Sequence, residues 1–171
     1  MAEALLRHHL ASAGVEASVS SAGLHPGGRP ATQHGVACMA ARGLDLSGHV
    51  SRQLARELVD AADLVIAMAR EHVREVAVLD PDALARTFTL KELVALGERT
   101  GPREADGPLD AWLRRAGQGR DTKRLLGVGH DPELDVEDPI GRDRTAYEAT
   151  AEELDDLLGR LVTLIAKEPS T

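Results

Sequence analysis

MAEALLRHHL (residues 1–10) opens the chain as an amphipathic helix, with Leu5, Leu6 and Leu10 at helical spacing beside Arg7, His8 and His9. A helix that opens a domain ordinarily follows a loop and a capping residue. Here only Met1 stands ahead of Ala2 and Glu3, so the question is which element feeds this helix. After a stop at Gly14, VEASVSSAG (15–23) alternates Val15, Ala17 and Val19 with polar residues, as a half-buried strand does. DLVIAM (63–68) is a continuous apolar run of the kind found in parallel sheets covered on both faces. RTFTL (86–90) reads as a further strand.

Helical patterns fall between these runs, in ATQHGVACMAARG (31–43), ARELVDA (55–61) and REHVREVAVLD (70–80), and RTAYEATAEELDDLLGRLVTLIAKE (144–168) closes the domain. The alternation is that of an α/β sheet entered halfway: in a right-handed βαβ unit the first helix is fed by a strand. The expectation from this order is an α/β sheet whose first strand is missing. Residues from about Lys91 to Asp131, with helical fragments KELVAL and LDAWLRRAG between Gly-, Pro- and charge-rich connectors, read as an insertion in a single domain spanning 1–171.

Composition narrows the class. A chain of 171 residues with 43% hydrophobic and 28% charged residues suits one soluble domain. One Phe, one Trp and one Tyr leave the core to Leu, Val and Ala. The net charge of -8 argues against nucleic acid and anionic membranes as partners. The absence of a long apolar run or signal-like leader leads to a cytoplasmic reading. A single cysteine, Cys38, excludes an internal disulfide, a dithiol redox pair and a multi-cysteine zinc site.

MAEALLR, SVSSAG, ACMAARGLDLSGHVSRQL, DLVIAM and DVEDPIG followed by a Tyr- and Glu-bearing helix occur in the order of the low-molecular-weight protein tyrosine phosphatases, which the chain resembles outside its middle segment. In that family a first strand runs into a Cys-x5-Arg phosphate loop, and a helix like MAEALLR follows. The resemblance implies an α/β, doubly wound parallel sheet in which the missing first strand is interior, between ASVSS and DLVIAM, so that both neighbouring edges would be left unpaired, with aggregation or destabilisation as the consequence. The resemblance starts after the loop, so it implies that the chain as written holds no nucleophile and is inactive. A longer form would hydrolyse a phosphotyrosine protein or an aryl phosphate through a cysteinyl-phosphate, without cofactor or metal. Low thiolate pKa, backbone N–H groups and an arginine grip on the phosphoryl oxygens are what that loop supplies.

Asp138 in DVEDPIG (135–141) matches the family's general acid, with Asp135 as a weaker companion. A general acid contributes about 10²–10⁴ in rate. Ser21 and His49 match residues that brace the phosphate loop, and Arg52 matches a position expected to serve an ion pair or a cap. Cys38 has Leu44, not Arg, six residues on, and is expected to be a buried small hydrophobe. His8 and His9 are expected as a solvated pair on different faces. His130, Asp131, Glu133 and Asp135 in GVGHDPELD are expected as a solvated acidic loop rather than a cation site.

Two other readings remain at this point. One is a truncated, non-catalytic protein that binds a partner. The other is an arsenate reductase of the same fold, which would need redox cysteines beyond Cys38.

Overall fold

The long closing helix organises the fold, and the computed structural model describes residues 1–105 and 107–166 around it. This helix, α8 (Arg144–Ile165), starts where the Asp143 carboxylate accepts the Ala146 N–H at 3.0 Å. It buries Tyr147, Thr150, Ala151, Leu154, Leu157, Leu158 and Leu161, the helical repeat of three and four. Lys167 and Glu168, which the sequence pattern adds to this helix, lie outside the described residues.

The opening helix α1 (Ala2–Ser12) lays Leu5 and Leu10 against α8. There the His9 Nε2 pairs with Asp155 Oδ1 at 2.7 Å, and a side chain at Gly159 would meet the His9 ring. His9 is therefore not half of a solvated pair with His8, because its i,i+4 register faces α8 whereas His8 points to solvent.

The helix α2 (Gln33–Ala40), capped by Thr32, buries Cys38 and Met39 in the main core. The short α3 (Arg56–Asp60) precedes β1 (Val65–Ala67), α4 (Arg70–Leu79), a 3-10 turn (Pro81–Arg86) and β2 (Thr87–Thr89). β1 and β2 pair in parallel with Val65 opposite Thr87 and Ala67 opposite Thr89, and α4 supplies the crossover. They are the sheet's only two strands among the described residues.

The strand expected over 15–19 does not form. Residues 15–22 form no regular secondary structure and no ladder. Just beyond them, Gly23 makes an isolated parallel bridge to Gln53. The physical reason is a lack of edge: a strand exists by exchanging backbone bonds with a neighbour, and between 19–24 and β1 lies a cavity of about 280 Å³ lined by Leu6, Val19, Leu58, Val65, Ile66 and Met68 among others.

The segment read as an insertion contributes to the core. The helix α5 (Leu90–Thr100), capped by the Thr89 hydroxyl accepting the Glu92 N–H, buries Leu90, Leu93, Val94 and Leu96. The helix α6 (Leu109–Ala116) buries Trp112 and Leu113 in the same cluster, and the indole N–H donates to the Gly101 carbonyl at 2.9 Å. α7 (Thr122–Leu125) leads into the DVEDPIG loop. Among the described residues no helix is long and apolar enough to cross a membrane.

Candidate active site

In open α/β sheets ligands gather beyond the carboxyl ends of the strands. Here the DVEDPIG loop occupies that place: the Val136 N–H donates to the carbonyl of Met68, the residue that follows β1, at 2.8 Å. The loop is fastened on both sides of that bond. Asp135, 3% exposed, accepts the Arg70 N–H at the start of α4 on Oδ1 and the Asp131 N–H on Oδ2, each at 2.8 Å. The Glu137 carbonyl accepts from the Thr150 hydroxyl on α8 at 3.3 Å, and Pro139 is buried.

Between these anchors Asp138 is exposed. Its Oδ1 accepts the Ile140 N–H at 2.9 Å, closing an Asx turn over Pro139, while Oδ2 carries no hydrogen bond among the described residues. The two aspartates thus part company. Asp135 is an anchor with both oxygens committed to backbone donors, and Asp138 presents one oxygen outward from a fixed turn.

His72, which the sequence pattern marks only as part of a helix, lines the same cavity as Ser21, Ala22 and Gly23. Its Nδ1 accepts the Ala69 N–H at 3.2 Å, which places the proton of the neutral ring on Nε2. Burial pushes this imidazole below the usual histidine range, although Glu71, Asp138 and Asp135 pull the other way. The only advance signal was its position shortly after a predicted strand, at the third residue past the helix cap Ala69, where a side chain reaches the free N–H groups of a starting helix.

Ser21 and Arg52 form one corner of the cavity. The Ser21 hydroxyl donates to the Glu3 carboxylate, and the Ser21 carbonyl accepts from Arg52 Nε at 3.3 Å and Nη2 at 3.2 Å. Arg52 therefore clamps a backbone carbonyl instead of making the ion pair or cap expected of it. The strandless 15–22 segment has carbonyls to offer, and no described carboxylate lies in salt-bridge range of Arg52. His49 is half-buried, and its imidazole enters no hydrogen bond among the described residues.

Cys38 is 2% exposed in the core beside Met39. The acidic loop is not simply solvated: Arg124 reaches Asp131 Oδ2 at 2.8 Å and Oδ1 at 2.9 Å and also pairs with Glu133. That guanidinium holds the Asp131 carboxyl below the usual carboxylate range. Among the described residues no group of three or more His, Cys, Asp or Glu is arranged to hold a metal ion.

The family model for low molecular weight phosphotyrosine protein phosphatase matches residues 1–110. A Protein-arginine-phosphatase of Bacillus subtilis (strain 168) is 31% identical over 170 residues, which span 98% of this chain and 89% of that protein. A probable low molecular weight protein-tyrosine-phosphatase, EpsP, of Ralstonia solanacearum is 38% identical over 94 residues, 54% of this chain and 62% of that one. Among solved structures, a YwlE mutant from Bacillus subtilis superposes with a TM-score of 0.67 at 30% identity, covering 94% of this chain and 84% of that one. A low molecular weight protein tyrosine phosphatase from T. tengcongensis gives 0.68 at 29% identity over 94% and 86%. The chain belongs to the low-molecular-weight phosphotyrosine protein phosphatase family.

Proposed function

We propose that this chain carries the general-acid half of a protein phosphatase centre, with Asp138 as the acid. The nucleophile would come from an upstream strand and Cys-x5-Arg loop in a longer natural polypeptide. The observation that carries the reading is Asp138 itself: an outward carboxylate on a turn fastened to the residue after β1. The apolar cavity flanked by the ladderless 15–22 segment and β1 supports the position of the strand, since its lining is that of a sheet edge and not of a solvated surface.

In the reaction the loop thiolate bonds to phosphorus as the bond from phosphorus to the leaving oxygen breaks, and the proton of Asp138 goes to that oxygen. Water then cleaves the sulfur–phosphorus bond and gives its proton back to the Asp138 carboxylate, the reverse use of the same group. Ser21 and His49, by resemblance, brace the loop; the Arg52 clamp on Ser21 keeps that corner in place.

The substrate is a phosphorylated protein side chain, met in the cytoplasm. Phosphotyrosine is the first reading, supported by the description of the matching family model. Phosphoarginine is the second reading, favoured by similarity along nearly the whole chain to a Protein-arginine-phosphatase.

The test has two parts. The intact mass of the protein from its own cells is expected above 18.2 kDa by a strand and a loop. That longer protein is expected to hydrolyse phosphotyrosine or phosphoarginine peptides, and the chain of 171 residues to give no turnover above buffer. A natural mass of 18.2 kDa would replace this reading with that of a non-catalytic binding protein. Turnover by the short chain that survives Cys38→Ser would refute the chemistry.

A further inference from the structure

Among the described residues Arg70 is the one buried cation, and the reaction does not account for its work. It is 5% exposed at the first position of α4, where helix propensity asks for nothing charged and the positive end of the helix dipole disfavours a cation. Its guanidinium is spent on the segment that follows α6: Nη1 donates to the Arg124 carbonyl at 2.8 Å and Nη2 to the Gly129 carbonyl at 2.7 Å. Nε has no hydrogen-bond partner and faces Asp135 Oδ2 across 3.6 Å, while Nη1 lies 3.8 Å from Asp131 Oδ2. The backbone N–H of the same residue donates to Asp135 Oδ1.

One residue therefore grips both the incoming segment and the anchor of the acid loop. Arg74, one turn on, adds a bond to the Gly127 carbonyl at 2.6 Å, so the 124–129 stretch is held along the side of α4. From Asp135 the chain has little freedom before Asp138, because Val136 is bonded to the Met68 carbonyl, Glu137 to α8, and Pro139 is buried.

We infer that Arg70 is a positioning residue for Asp138, coupling the 124–131 segment to the reach of the acid. The inference rests on the general-acid reading above. An exposed carboxylate on a turn delivers its proton only if the turn is fixed, since small displacements of a catalytic group cost large factors in rate. The charge at Arg70 draws the Asp135 carboxylate onto the end of α4, and the two carbonyls it binds fix the distance from that end to the loop.

The test reads the loop and the chemistry separately. Amide hydrogen exchange on this chain is expected to show protection at Asp131 and Val136 falling at least tenfold in Arg70→Gln, with α8 amides unchanged and most of the protection restored in Arg70→Lys. Unchanged protection at Asp131 and Val136 would overturn the inference whether or not the protein is a phosphatase.

In the longer natural protein the second measurement is kcat/KM for phenyl phosphate, whose leaving group needs a proton, against p-nitrophenyl phosphate, whose leaving group needs it less. Arg70→Gln is expected to lower the first at least tenfold and the second by less than threefold. An equal fall in both would mean that Arg70 only supports the fold. No hydrolysis by the wild-type longer protein would refute the general-acid reading, and with it the catalytic part of the inference, even if the exchange result stands.

Discussion

Replacing Asp135 with asparagine removes a charge and one acceptor while leaving the shape of the side chain intact. In the native chain Oδ1 and Oδ2 each accept a backbone N–H at 2.8 Å, from Arg70 and Asp131, and the Arg70 guanidinium lies 3.6 Å away. Asn can satisfy only one of the two donors, and its NH2 group confronts the other. A buried donor left unsatisfied costs about 1–3 kcal/mol. A buried cation that loses its counter-charge costs about 3–5 kcal/mol.

These costs share one carboxylate and do not add, and Asp131 at 3.8 Å takes over part of the compensation, so the expected loss is about 3–4 kcal/mol. For a chain of this length each kcal/mol shifts Tm by roughly 2–4 °C. Urea denaturation followed by circular dichroism at neutral pH gives the free energy, and a thermal scan gives the shift. A loss under about 1 kcal/mol, the level of an ordinary hydrogen bond, would refute the claim that this carboxylate anchors the acid loop.

Asp138→Asn should behave oppositely. The amide oxygen keeps the bond to the Ile140 N–H, so stability should change by less than about 0.5 kcal/mol, whereas kcat of the longer natural protein should fall by roughly 10²–10⁴. Arg120→Met should destabilise by about 3–5 kcal/mol, because Arg120 binds both oxygens of buried Glu92 at 3.0 and 2.7 Å and stacks 3.9 Å above Phe88. The double variant with Glu92→Leu should recover most of that loss in the same denaturation assay. His72 is pushed down by burial, so the unfolded chain takes up its proton first as pH falls. The stability it contributes is complete above the ordinary histidine pKa of about 6.5 and declines below it. Denaturation at pH 5.5 and 7.5 should show a smaller difference in His72→Gln than in the wild type, and an equal difference would refute this assignment.

The periodic patterns located the helices because helical burial is a local property: Leu5 and Leu10, Cys38 and Met39, and the Leu154–Leu158–Leu161 stripe announce their inner faces in the order of residues. β1 was legible as an apolar run and β2 as the short β-branched and aromatic stretch RTFTL. The strand expected at 15–19 was not, since a strand's existence depends on a partner that a pattern of alternation does not supply. The same limit applied to the 91–131 segment, where α5 and α6 join the main core although charge-rich connectors surround them.

By itself, then, the sequence determined the α/β order, the family resemblance, the burial of Cys38 and the identity of the DVEDPIG aspartates. The resemblance already set Asp138 ahead of Asp135, but only the tertiary structure shows what holds each, because the two differ in what reaches them from residues far along the chain: Arg70, 65 positions away, closes on one, and the other is left facing out. Arg70 and Arg124 carry no local mark of their contacts, since the carbonyls and carboxylates that meet these cations are brought to them by folding.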